Sequence, residues 1–120
     1  MAFYKTAAEQ LYSGTVAAGG SAESSVADIS SAIKVHVQVT ITFDVSATGT
    51  LEAKVIAGLS SSEWDDEPLS TITFDPSAGT NQTKSVHLDV TAIKSLKLTF
   101  TNNDATYTAT VTAKLVKAVI

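Results

Sequence analysis

The stretch Ala32-Ile33-Lys34-Val35-His36-Val37-Gln38-Val39-Thr40-Ile41-Thr42-Phe43-Asp44-Val45 carries the fold. From Ile33 on, its odd positions are apolar and its even positions are polar. A period of two places successive side chains on opposite faces of a strand. One face is therefore buried and the other wet, as in an antiparallel sheet covered on one side only. At ~3.3 Å per residue the stretch would run about 45 Å, longer than an ordinary strand, so a bend or bulge is expected within it.

The alternation recurs along the chain. Leu51, Ala53, Val55 and Ala57 are spaced in this way, as are Ile72 and Phe74, and Val86, Leu88 and Val90. So are Leu96, Leu98 and Phe100, and finally Tyr107, Ala109, Val111, Ala113 and Leu115. Two weaker stretches, 11–16 and 25–29, bring the count to about eight strands. Turn chemistry separates them at Ser46–Gly49 and Asp75–Asn81, and Gly19-Gly20-Ser21 reads as a flexible joint. Asn102-Asn103-Asp104 reads as a tight hairpin, because Asn and Asp tolerate positive φ. Thr6-x-x-Glu9 fits a capping box, with Phe3, Ala7 and Leu11 at helical spacing, which supports one short N-terminal helical turn at most. The expectation is an all-β chain: one antiparallel β-sandwich over 1–120, jelly-roll-like, with residues 1–20 forming an arm or the first strand. Strand order, jelly roll or immunoglobulin-like, stays open.

Composition narrows the function classes. A chain of 120 residues suits one domain, and the absence of cysteine excludes disulfides and thiolate chemistry. The net charge is −4, with twelve acidic residues, eight lysines and no arginine. An acidic chain without arginine is a poor partner for nucleic acid or an anionic membrane. Charged residues make up 17%, below the usual ~25%, which suggests a surface partly covered by a partner or by copies of itself. Met1–Gln10 lacks the apolar run of a signal peptide, so synthesis in the host cytoplasm without secretion is expected. The glycosylation triplet Asn81-Gln82-Thr83 then reads as a chance match.

Few residues offer chemistry. His36 and His87 both occupy outward positions and could share a metal if their strands pair, but nothing around them has metal-ligand spacing. They read as solvated strand residues, and neither a metal nor a cofactor is expected. The stretch Ser60–Pro68 holds the single tryptophan, Trp64, with Glu63, Asp65, Asp66 and Glu67. Three readings stand: a Ca²⁺ site, a sugar platform formed by Trp64, Asp65 and Asp66, or a solvated loop whose indole covers a core edge. Neighbouring carboxylates in one loop do not bracket a sugar as a hydrolase requires, so no catalytic site is expected. Thr106, Thr108, Thr110 and Thr112, with Thr40 and Thr42, could form a surface-binding array, although threonine also favours half-exposed strands. The apolar C-terminus and the residues after Met1 are expected to dock on the chain's own sheet or on a second subunit. The residues concerned are Phe3, Tyr4, Val116, Val119 and Ile120.

The order of features carries a resemblance. Gly19-Gly20-Ser21 leads into Ser25-Val26-Ala27-Asp28-Ile29-Ser30 and the strand Ala32–Val45. The loop Ser60–Asp65 and the stretch Thr99–Asp104 follow. In this order the chain resembles small β-sandwich virion proteins of tailed bacteriophages, of the head decoration (cement) type. Discoidin-like and carbohydrate-binding sandwiches share the outline. The phage resemblance implies a non-enzymatic virion protein bound to a capsid lattice as a homo-oligomer, commonly a trimer, with other virion proteins as partners. The rival it leaves is a carbohydrate-binding module of a receptor-binding structure.

Overall fold

The structure is a computed structural model and describes residues 4–119. It contains ten strands: β1 (Tyr4–Lys5), β2 (Glu9–Val16), β3 (Ser21–Glu23), β4 (Ala27–Asp28), β5 (Ala32–Phe43), β6 (Leu51–Gly58), β7 (Ser70–Phe74), β8 (Asn81–Asp89), β9 (Ser95–Asn102) and β10 (Ala109–Val119). One 3₁₀ turn, Pro76–Ala78, follows β7.

The strands form two antiparallel sheets. In the first, β10 pairs with both β1 and β2 along one edge and with β5 along the other, and β5 pairs with β8. In the second, β9 pairs with both β3 and β4 on one side and with β6 on the other, and β6 pairs with β7. Counting β1/β2 and β3/β4 as two interrupted strands leaves eight, ordered 1-8-3-6 and 2-7-4-5. That order is the jelly roll, with chain neighbours alternating between sheets at most connections.

The core lies between the sheets and is built by the expected alternation. Val35, Val37, Val39, Ile41 and Phe43 of β5 point inward and are buried, as are Leu51, Ala53 and Val55 of β6 and Leu98 and Phe100 of β9. Tyr12 packs across the layers onto Phe100, with ring centroids 5.0 Å apart. The register slips once in the long strand: Ala118 faces Lys34 and Val119 faces Ala32, so Ile33 is bulged out. The bulge puts Ala32, not Ile33, on the buried side.

Four local expectations are corrected. β5 ends at Phe43, and Val45 lies in the following turn with 88% of its surface exposed. Thr6 and Glu9 do not cap a helix. The Thr6 Oγ1 accepts from the Lys117 N–H and the Glu9 carboxylate pairs with the Lys117 ammonium, so both side chains serve β10. Tyr107 precedes β10 and lies in a loop. Finally, Asn102–Asp104 is not a hairpin, because β9 and β10 belong to different sheets and no non-glycine residue among those described has positive φ.

That last segment instead ties together one end of the sandwich. The Asp104 carboxylate accepts from four backbone N–H groups: Thr48 and Gly49 at 2.8 and 2.9 Å, and Thr106 and Tyr107 at 2.9 and 2.8 Å. The Asp104 carbonyl accepts from Gly19 N–H, and Asn102 donates through Nδ2 to the carbonyls of Val16 and Tyr107. Gly49 sits so close that a Cβ there would lie 2.5 Å from the Asp104 backbone.

The donors on Gly49, Tyr107, Thr106 and Thr48 hold the Asp104 carboxyl far below the usual carboxylate range. A lowered folded-state pKa stabilises the fold above the unfolded value, ~3.9, and loses that contribution as pH falls below it. Asp104→Asn is therefore expected to lower the urea midpoint at pH 7 and to shrink its further fall between pH 5 and pH 3. Equal acid sensitivity in variant and parent would refute the assignment. Phe100→Ala is expected to cost about 3–5 kcal/mol in the same unfolding assay, as a fully buried ring.

Candidate binding surface

The outer face of the first sheet is a grid whose rows follow from the register. One row runs Thr15, Thr110, Thr42, Asn81, and the next runs Ser13, Thr112, Thr40, Thr83. Then come Gln10, Lys114, Gln38, Ser85, then Val116, His36, His87, and last Lys5, Ala118, Lys34, Asp89. The first two rows hold no charge. The five rows contain a single acid, Asp89, although the chain carries an excess of acids.

Side chains on β5 and β8 pair directly across the strands. Thr42 donates to the Asn81 Oδ1 at 2.9 Å, and the Thr40 and Thr83 hydroxyls lie 3.1 Å apart. The Nδ1 atoms of His36 and His87 also lie 3.1 Å apart, with the rings edge to face at 4.2 Å. Thr110 and Thr112 join Thr40 and Thr42 on this face, whereas Thr106 and Thr108 lie in the loop before β10 and do not. Ser13, Thr15 and Thr83 complete the hydroxyl rows. The sequence holds them, but their membership depends on strand order.

The histidine end of the face is hollowed. A depression of about 330 Å³ is lined by Lys5, Lys34, His36, His87 and Val116, among others. Val116 is half-buried there, and Tyr4, next to Lys5, is 62% exposed. Val119 is buried in the core, so its side chain docks within its own sandwich. Phe3 and Ile120 lie outside the described residues.

The Trp64 segment lies on the second sheet. Trp64 bridges to Gly58 at the end of β6, and Asp65 N–H donates to the Ala57 carbonyl. The indole lies across Gly58, where a Cβ would come within 2.8 Å of its Cε3. Its Nε1 donates to the Ser61 carbonyl, and the Lys97 ammonium sits 4.5 Å from the ring centroid. One ring face is thus occupied by a cation from the same chain, which sequence spacing did not reveal. Glu63, Asp65, Asp66 and Glu67 are exposed, and no three acidic or histidine side chains among the described residues are grouped to hold a metal.

No protein-family model matches the sequence, and a search of curated proteins finds no relative. Solved structures do share the fold. A protein of the T13 infectious bursal disease virus particle aligns with 98% of this chain at a TM-score of 0.56 and 16% identity. The chain spans 31% of that protein. The SPBc2 prophage-derived protein YomS aligns over 98% of this chain and 96% of its own, with a TM-score of 0.50 and 15% identity. The CBM22-1–GH10 modules of Clostridium thermocellum xylanase 10B, solved with xylohexaose, align with 77% of this chain and 19% of their own, with a TM-score of 0.53 and 13% identity. The likeness at these identities is one of fold.

Gly58→Ala is expected to push the Glu63 carbonyl and the indole off β6, since a Cβ would lie 2.6 and 2.8 Å from them. It should cost about 1–3 kcal/mol, as overpacking does, and shift the emission of the single tryptophan. Unchanged stability and emission would mean that Trp64 does not lie across Gly58.

Proposed function

We propose that the chain is a structural virion protein, a capsid decoration or cement subunit that binds a protein lattice and copies of itself and catalyses nothing. The observation that carries this reading is the outer face of the first sheet. Four strands at ~4.8 Å spacing and about eleven residues at ~3.3 Å each give a face of roughly 700 Å². A standard protein interface buries about 800 Å² per partner.

The chemistry of the face fits the same use. Interface cores are poor in charged side chains, and the Thr and Ser rows carry none. Thr42–Asn81 and Thr40–Thr83 already bond to each other, which limits the cost of losing water from these groups. The low charge of the whole chain, and a fold also found in a viral particle protein and a prophage protein, support a place in the virion.

A second reading, glycan binding at Trp64 with Asp65 and Asp66, draws on the partly exposed indole beside free carboxylates. It requires Lys97 to leave the ring or the sugar to use the other face. Lys97 is mostly buried and also pairs with Glu23 at 3.3 Å, so moving it costs more than the about 0.5–1 kcal/mol of an exposed cation–π contact.

Light scattering separates the two readings. The assembly reading expects a mass that is a multiple of 12.5 kDa, and return to 12.5 kDa when Thr40 and Thr112 are both replaced by Glu. It also expects the parent chain to sediment with empty capsids and the double variant to stay in solution. A 12.5 kDa parent that ignores capsids, with Trp64 emission shifting on addition of xylohexaose, would overturn it in favour of glycan binding.

A further inference from the structure

From the geometry of the cross-strand histidine pair we infer that His36 and His87 form a binding site for a divalent late transition-metal ion such as zinc, held through the two Nδ1 atoms. The register sets the two residues directly opposite each other on β5 and β8. Both project to the outer face, beside the 330 Å³ hollow. Their Nδ1 atoms lie 3.1 Å apart. Two nitrogens bound to one tetrahedral zinc at ~2.0 Å are separated by about 3.3 Å, and square-planar copper brings them closer. The pair therefore already stands at chelating separation, on two strands that fix the backbone beneath it.

The ion-free contact supports the same site. A contact of 3.1 Å between the two Nδ1 atoms is a hydrogen bond when one ring carries its proton there and the other accepts. Metal binding needs both lone pairs. From that arrangement the bridging proton moves to Nε2 of the donor ring, and both rings become Nε2–H tautomers with their Nδ1 lone pairs free for the metal. The ring atoms that give up this contact gain two metal–nitrogen bonds, and water fills the remaining positions.

The surroundings select the kind of ion. Imidazole suits zinc, copper and nickel, whereas magnesium and calcium require several oxygen ligands. The charged groups facing the pair are Lys34 on β5, Lys5 on β1, Lys114 on β10 and Asp89 on β8. Asp89 lies two residues along β8, opposite Lys34, and accepts from Thr91. A cation held by charge alone would meet three ammonium groups and one occupied carboxylate. Only an ion that bonds strongly to nitrogen is retained here.

The test is a titration of ¹⁵N-labelled full chain with zinc chloride, read by imidazole ¹H–¹⁵N correlations and by calorimetry. The expected result is saturation at one ion per chain, with both histidines converting together to the Nε2–H form with shifted Nδ1 resonances. His36→Asn and His87→Asn should each weaken binding by about 10–100-fold, with magnesium chloride without effect on the parent. His87 lies on an edge strand, so its variant alone carries the test if the His36 variant does not fold. No histidine response up to ~1 mM zinc, or equal binding by the His87 variant, overturns the site.

Discussion

Four backbone N–H groups converge on one carboxylate where the chain crosses between the sheets. In a jelly roll most connections leave one layer and enter the other, and each crossing strands backbone donors beyond the ladders. Three crossings meet at Asp104: the turn after β2, the turn before β6 and the segment before β10. Water could serve these donors on an open surface, but Asp104 is almost wholly buried. One acceptor with two oxygens serves four donors, and Asn102 fastens the same corner to β2 through the Val16 carbonyl. The relative placement of the two layers at this end depends on this corner.

The two outer faces then differ in kind. On the first sheet two rows without charge lie at one end, with hydroxyls bonded across β5 and β8, and the histidine pair lies toward the other end beside Lys5, Lys34 and Asp89. On the second, the segment after β6 turns back along its strand and sets Trp64 over Gly58 with Lys97 on the ring. Extended chemistry lies on one face and local chemistry on the other. An assembly role draws on the first and glycan recognition on the second.

The layers were legible in the sequence because alternation is a property of single strands. Val35 to Phe43 shows its buried face without any partner, and so do Leu51 to Val55 and Leu96 to Phe100. What could not be read depends on which strands become neighbours. His36 and His87 lie 51 positions apart, and only the pairing of β5 with β8 makes them touch. Lys97 meets Trp64 for the same reason. Thr6 and Glu9 looked like a helix cap because Thr and Glu bond to any nearby backbone or charge, and here Lys117 supplies both. Asn102–Asp104 looked like a hairpin because the same residues that tolerate positive φ also carry side-chain acceptors. In this chain the acceptors are what the structure uses. Val45 continued the alternation on paper, but the strand had already ended at Phe43.

The pairing of β1 and β2 with β10 alone has a bearing on synthesis. β1 and β2 have no partner in the first sheet until β10 has been made. Until then, only the second sheet can cover Leu11, Tyr12 and Val16, as where Tyr12 meets Phe100. Pairings of such long sequence separation form slowly, and waiting strands are prone to associate with other chains. The positions between them, Ser13 and Thr15, are polar, and polar residues at alternate positions lower the apolar surface of a waiting strand. The hydroxyl residues of the finished outer face are thus already polar spacers in the strand before it pairs.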